Sequence, residues 1–226
     1  MSFLNKFIKL MKGELSRKKT KNNHFSWSVN ETKYLDLGRV GKLRKSCRQA
    51  RNRAIKENKT VSVRDWFMVE LGLFTGLRVE EMTNLKASDL HLKEAHSSLT
   101  VKKGKGDKPR TVYLPETFKK ECLFYLAWKE KVIPKSDSLF TNSNGRQLSK
   151  RALQKSFKRC IGLAGLESRY SIHCLRHTYG SFLYKSSNHD LRMVQEQLGH
   201  SSSRTTEVYA NLMNEDVKKA IDKIYQ

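Results

Sequence analysis

His173-Cys174-Leu175-Arg176-His177, followed by Leu198-Gly199-His200 and then by Tyr209, is the stretch from which the rest of the chain is read. His173 and Arg176 stand three residues apart, so on a helix they share one face. A second His follows a Gly, and a Tyr comes nine residues after it. Cationic donors grouped near a phenol suit attack on a phosphodiester without a metal. The donors offset the charge of a phosphorane-like transition state, and the phenolate becomes a covalent nucleophile.

The bulk properties agree with a phosphate-bearing partner. The 226 residues carry a formal charge of +23, which points to a polyanion. Nucleic acid fits better than a membrane, because no apolar run approaches the roughly 20 residues a span requires. The excess is uneven: residues 1 to 60 hold 17 Lys and Arg against 4 Asp and Glu. Cys47, Cys122, Cys160 and Cys174 are scattered, without C-x-x-C pairing or metal-like spacing, and read as reduced thiols of a cytoplasmic protein. At the N-terminus Lys alternates with apolar residues, so no signal-peptide core forms.

Moving outward, residues 1–26 read as a basic N-terminal extension or arm. Val40, Leu43, Cys47, Ala50 and Ala54 make a helical stripe within Asn30 to Asn58, and Arg44, Arg48 and Arg51 lie on the adjacent face as DNA-flanking candidates. Val63 to Phe74 is apolar nearly all round, as in a buried helix, and stops at Thr75-Gly76. Val79 to Leu85 restarts a helix. Leu99 to Val101 and Arg110 to Leu114 read as strands around a Gly104-Lys105-Gly106-Asp107 hairpin tip. Pro115 is expected at about the first helical position of the next segment. Ser149 caps a helix with Leu153, Phe157 and Ile161 on its buried side, and Gly162 and Gly165 are expected to break it. Further helices are expected near His173 to Lys185, Asp190 to Leu198, Ser203 to Leu212 and Glu215 to Tyr225. The fold class is mainly α with a small antiparallel β-sheet.

The order Thr-Gly-Leu-Arg78, Gly-Lys105-Gly, His173-x-x-Arg176-His, Leu-Gly-His200 and Tyr209 resembles the tyrosine recombinase, or phage integrase, family. The resemblance covers about Ser62 to Leu212. It implies the catalytic-domain fold of that family over residues 27–213. It also implies site-specific cutting and rejoining of duplex DNA through a 3′-phosphotyrosine link, without metal or other cofactor.

On that resemblance Tyr209 is the nucleophile, and Arg78 and Arg176 hold the non-bridging phosphate oxygens, for which a planar, permanently charged guanidinium is suited. Lys105 protonates the 5′-oxygen leaving group, and His173 and His200 donate to the phosphate and manage the tyrosine proton. Glu81, three residues after Arg78, orients it. His177 is a supporting residue. Lys102, Lys103 and Lys108 are the DNA-binding neighbours of Lys105. Tyr170, Tyr179 and Tyr184 lack Tyr209's relation to Gly-His and read as packing residues. A zinc site built on His173 and His177 lacks the Glu of H-E-x-x-H and a third ligand.

The resemblance has a gap. Family members place a helical core-binding domain of about a hundred residues before the catalytic domain, and only about 60 residues precede Val61 here. The chain therefore reads as a short form, with the basic first quarter as electrostatic compensation. Residues 214–226 carry an apolar helix face expected to pack on its own domain or on a neighbouring protomer. The implied partners are double-stranded DNA, further copies of the chain in a tetramer on DNA, and DNA-bending accessory proteins; the implied location is the nucleoid. Two rival readings are a type IB topoisomerase-like nicking-closing enzyme and a non-catalytic DNA-binding accessory protein.

Overall fold

The computed structural model describes residues 34–93, 96–102 and 109–199. Their chain order is α1 (Leu37–Lys56), α2 (Val61–Thr75), α3 (Val79–Asn84), a 3-10 turn (Ala87–Asp89), and the strands β1 (Leu90–His91), β2 (Ser98–Val101) and β3 (Arg110–Tyr113). Four further helices follow: α4 (Glu116–Val132), α5 (Lys150–Leu163), α6 (His173–Ser186) and α7 (Leu191–Leu198). The mainly helical fold with one small antiparallel sheet is the one expected. The arm at residues 1–26, the Gly104–Asp107 tip and the two helices expected after Ser203 lie outside the described residues. Among the described residues no helix is long and apolar enough to cross a membrane.

The centre is α2, as its all-round apolar sequence requires. Trp66, Phe67, Met68, Val69 and Leu71 are fully buried, and α1, α4, α5 and α6 pack around them. Phe67 stacks on Tyr125 of α4 with ring centroids 3.9 Å apart, and Phe74 stacks on Phe118 at 4.7 Å. These flat contacts fix α4 against α2 more specifically than aliphatic packing would. On α5, Leu153, Phe157 and Ile161 are buried and the Ser149 hydroxyl accepts from the Ala152 N–H, as the stripe and cap predict.

In the sheet, order β1-β2-β3, Leu99 pairs with Leu90 on one side and Val112 on the other. Leu99 and Val112 are fully buried, and the intervening Thr100 and Thr111 are not, which is the period of two expected of a one-faced sheet. Three details differ from the sequence reading. β1 is an additional strand. Pro115 caps α4 from outside the helix. Gly162 lies within α5, because its exposed side of the helix tolerates a missing side chain, and the chain turns instead at Gly165 (φ +61°).

A smaller apolar cluster seats α7. Val194 and Leu198 pack with the buried Tyr184 of α6, joined by Tyr34, Tyr179, Leu183 and Leu191. Asp190 caps the helix by accepting from the Met193 N–H, and Gly199 closes it at φ +65°. This docking brings the end of α7 against the loop that leaves α2.

Candidate active site

Gly76 ends α2 with φ +60°, a left-handed turn favourable to glycine. A Cβ here would overlap Tyr179 Cδ1 and come within 2.8 Å of Leu198 Cδ2. The turn thus lets the chain pass beneath α6 and α7 and emerge at Arg78. Arg78 is extended (φ −69°, ψ 152°) and is the N-cap of α3. Its backbone N–H donates to Glu81 Oε2 at 2.7 Å, the return half of a capping box. Its side chain donates from Nη1 to Glu81 Oε1 at 3.2 Å and from Nη2 to the Gly199 carbonyl at 3.3 Å.

Arg176 reaches the same place from the middle of the protein. It sits on α6, buried, and donates from Nη1 to the Gly76 carbonyl at 2.8 Å and from Nη2 to the Leu198 carbonyl at 2.9 Å. A third guanidinium, which the sequence reading did not single out, completes the group. Arg110, the first residue of β3, donates from Nε to the Gln197 carbonyl at 3.0 Å and from Nη1 and Nη2 to the two Glu81 oxygens at 2.7 and 3.0 Å. Gln197, Leu198 and Gly199 are therefore each held by a different arginine. A helix C-terminus carries unpaired carbonyls and partial negative charge, so three cations converge there without added carboxylates.

Glu81 lies among these charges. Burial on its own would raise its carboxyl pKa. The hydrogen bonds and charge of Arg110, the Arg78 N–H and the charge of Arg176 outweigh that and hold it below the ordinary carboxylate value. Tyr179, packed beside Gly76, behaves oppositely: burial pushes its hydroxyl up to about 12, against the pull of Arg110. It stays a protonated packing residue.

The remaining candidates divide clearly. His173 is exposed at the first position of α6, one turn before Arg176, and makes no hydrogen bond among the described residues. His177 is half-buried on the same helix. Lys102 Nζ is 2.6 Å from Asp89 Oδ1 at the end of β2. Arg44 grips the fully buried Glu70 of α2, with Nε 3.0 Å from both oxygens. Arg48 and Arg51 share Glu121 of α4, and the Arg51 guanidinium also lies 4.3 Å from the Trp66 ring centroid. These three arginines have intrachain partners that helical periodicity could not reveal. Lys103, Lys105, Lys108, His200 and Tyr209 lie outside the described residues. The Arg110 position carried one signal in sequence, a charged residue heading a strand with a buried face.

Comparison with known proteins agrees with this arrangement. The family model of the Phage integrase family matches residues 44–216. Tyrosine recombinase XerD of Oceanobacillus iheyensis is 38% identical over 168 residues, covering 73% of this chain and 55% of the relative. Tyrosine recombinase XerH of Helicobacter pylori is 35% identical over 169 residues, covering 74% and 46%. The chain spans about half the length of such curated relatives. Among solved structures, XerH recombinase bound to a palindromic difH substrate in a post-cleavage complex superposes with TM-score 0.69 and 30% identity, over 85% of this chain and 53% of that one. XerA recombinase gives TM-score 0.68 and 26% identity, over 85% and 65%.

Proposed function

The chain belongs to the phage integrase family, and from that premise we propose that it cuts and rejoins duplex DNA at specific sites through a covalent tyrosine intermediate. The observation that carries the reading is the convergence of Arg78 and Arg176 on the Gly199 and Leu198 carbonyls, immediately before His200. Two guanidiniums from distant segments meet at one place, and the chain leaves that place toward Tyr209.

In the proposed reaction the Tyr209 oxygen attacks the scissile phosphorus and the bond from phosphorus to the 5′-oxygen breaks. Lys105 gives the leaving oxygen its proton, and His200 and His173 handle the tyrosine proton and donate to the phosphate. Arg78 and Arg176 balance the charge that builds on the non-bridging oxygens. The phosphotyrosine keeps the bond energy, so a 5′-hydroxyl can reseal the strand by the reverse step. Residues 27–213 form the catalytic domain in this account, with residues 1–26 as a basic arm on DNA and residues 214–226 docking on a neighbour. Lys102, Lys103 and Lys108 add phosphate contacts near Lys105. Assembly as a tetramer on DNA, accessory DNA-bending proteins and a cytoplasmic, nucleoid-bound location belong to the same proposal.

The reading is tested with nicked suicide substrates built from repeats that flank the gene. A protein–DNA adduct resistant to denaturant and joined to the 3′ end supports it. Binding without any adduct assigns the chain to a non-catalytic role. Relaxation of supercoiled plasmid lacking such repeats, with no product joining two sites, assigns it to nicking and closing.

A further inference from the structure

We infer that Arg110 is a positioning residue for the phosphate chemistry: it takes up the Glu81 carboxylate and so leaves the charge of Arg78 available to DNA. The inference rests on the recombinase reading above. Arg110 is turned wholly inward, with its side chain 8% exposed. All three of its guanidinium nitrogens are used within the chain, two on Glu81 and one on the Gln197 carbonyl. That leaves Arg110 no role as a phosphate ligand. Arg78 is 31% exposed, and its side chain makes a single, longer contact with the same carboxylate, 3.2 Å against 2.7 and 3.0 Å for Arg110.

The arrangement resolves a conflict built into the turn. Glu81 is needed where it is, because its Oε2 accepts the Arg78 backbone N–H and fixes the start of α3. An acidic group at that distance would also neutralise the guanidinium beside it. A second arginine makes the local sum of Arg78, Glu81 and Arg110 +1 instead of zero. Two-point pairing with Arg110 is the stronger geometry, so the carboxylate is held by the residue that does not face solvent. Arg110 also lies against Gly199, where a Cβ would come within 2.7 Å of its Cδ, and it holds Gln197. The same side chain therefore sets where the chain leaves α7 for His200.

The test is single-turnover strand cleavage at saturating protein on two matched substrates, one with the natural scissile phosphate and one with a methylphosphonate. The methylphosphonate lacks one non-bridging charge and therefore needs less cationic help. With the phosphate, R110Q is expected to bind DNA as the wild type does and to cleave at least about tenfold more slowly. With the methylphosphonate its rate should come within about threefold of the wild type. A merely structural defect would slow both substrates equally, and that result overturns the inference, as does full-rate cleavage of the phosphate by R110Q. Should R110Q not hold its fold, the neutral pair E81Q/R110Q carries the test. With no carboxylate beside Arg78 it cleaves the phosphate within about tenfold of the wild type, and a folded but inactive double variant overturns the inference. Wild-type protein that never cleaves removes the recombinase reading and this inference together, whereas wild-type cleavage with an unimpaired R110Q removes this inference alone.

Discussion

Arg176 Nη1 lies 2.8 Å from the carbonyl oxygen of Gly76, a residue one hundred positions earlier. This bond joins the Thr-Gly-Leu-Arg and His-x-x-Arg motifs, and the other terminal nitrogen of the same guanidinium holds Leu198, next to the Leu-Gly-His motif. Three sequence signals that look independent are thus one structure, organised on a buried planar cation.

Arg176→Lys keeps the charge but cannot hold two carbonyls in a fixed fork. Single-turnover cleavage should fall by about 10²-fold or more, with DNA affinity little changed. Cleavage at the wild-type rate would show that the two-carbonyl grip is dispensable.

Gly76→Ala meets both an unfavourable positive φ and overlap with Tyr179. The expected loss is about 1–3 kcal/mol of folding stability. A urea titration measures it; an unchanged midpoint would mean that the α2 turn relaxes freely.

Arg44→Ala leaves the buried Glu70 without its paired cation. Because Arg44 is partly exposed, the loss should be about 2 kcal/mol, less than for a fully buried pair. If Arg44 also neutralised a DNA phosphate, the slope of log affinity against log salt would drop by about 0.9. An unchanged slope with lowered stability is the outcome its geometry favours.

How much of this was legible in sequence depends on the range of the interaction. The Ser149 cap, the Leu153-Phe157-Ile161 face and the Gly76 stop are local, and the structure has them where pattern and turn chemistry put them. β1 is only Leu90–His91 and exists by pairing with β2, so it leaves no periodic trace. Glu81 was readable as a partner of Arg78, since three residues separate them. Its stronger partner Arg110 arrives from a strand 29 positions away. Arg44, Arg48 and Arg51 looked like an outward basic face because Glu70 and Glu121 are brought to them only when α2 and α4 pack.

The depressed Glu81 pKa fixes a sign for acid stability. Burial opposes the charged form, and Arg110, Arg78 and Arg176 more than offset it. A carboxyl with a lowered folded-state pKa contributes stability that is complete above the ordinary carboxylate value, about 4.3, and is lost as pH falls through the depressed one. Denaturant midpoints measured downward from pH 6 should fall more steeply for the wild type than for Glu81→Gln. Parallel curves would mean that the carboxylate gains nothing from its arginines.

The central claim is that this arginine cluster serves a covalent tyrosine at position 209, and peptide mapping of the trapped adduct tests it most directly. Wild-type protein on a nicked suicide substrate should yield a single DNA-linked peptide containing Tyr209, and Tyr209→Phe should bind the same DNA without forming an adduct. An adduct that persists in Tyr209→Phe, or that maps to another residue, would contradict the account.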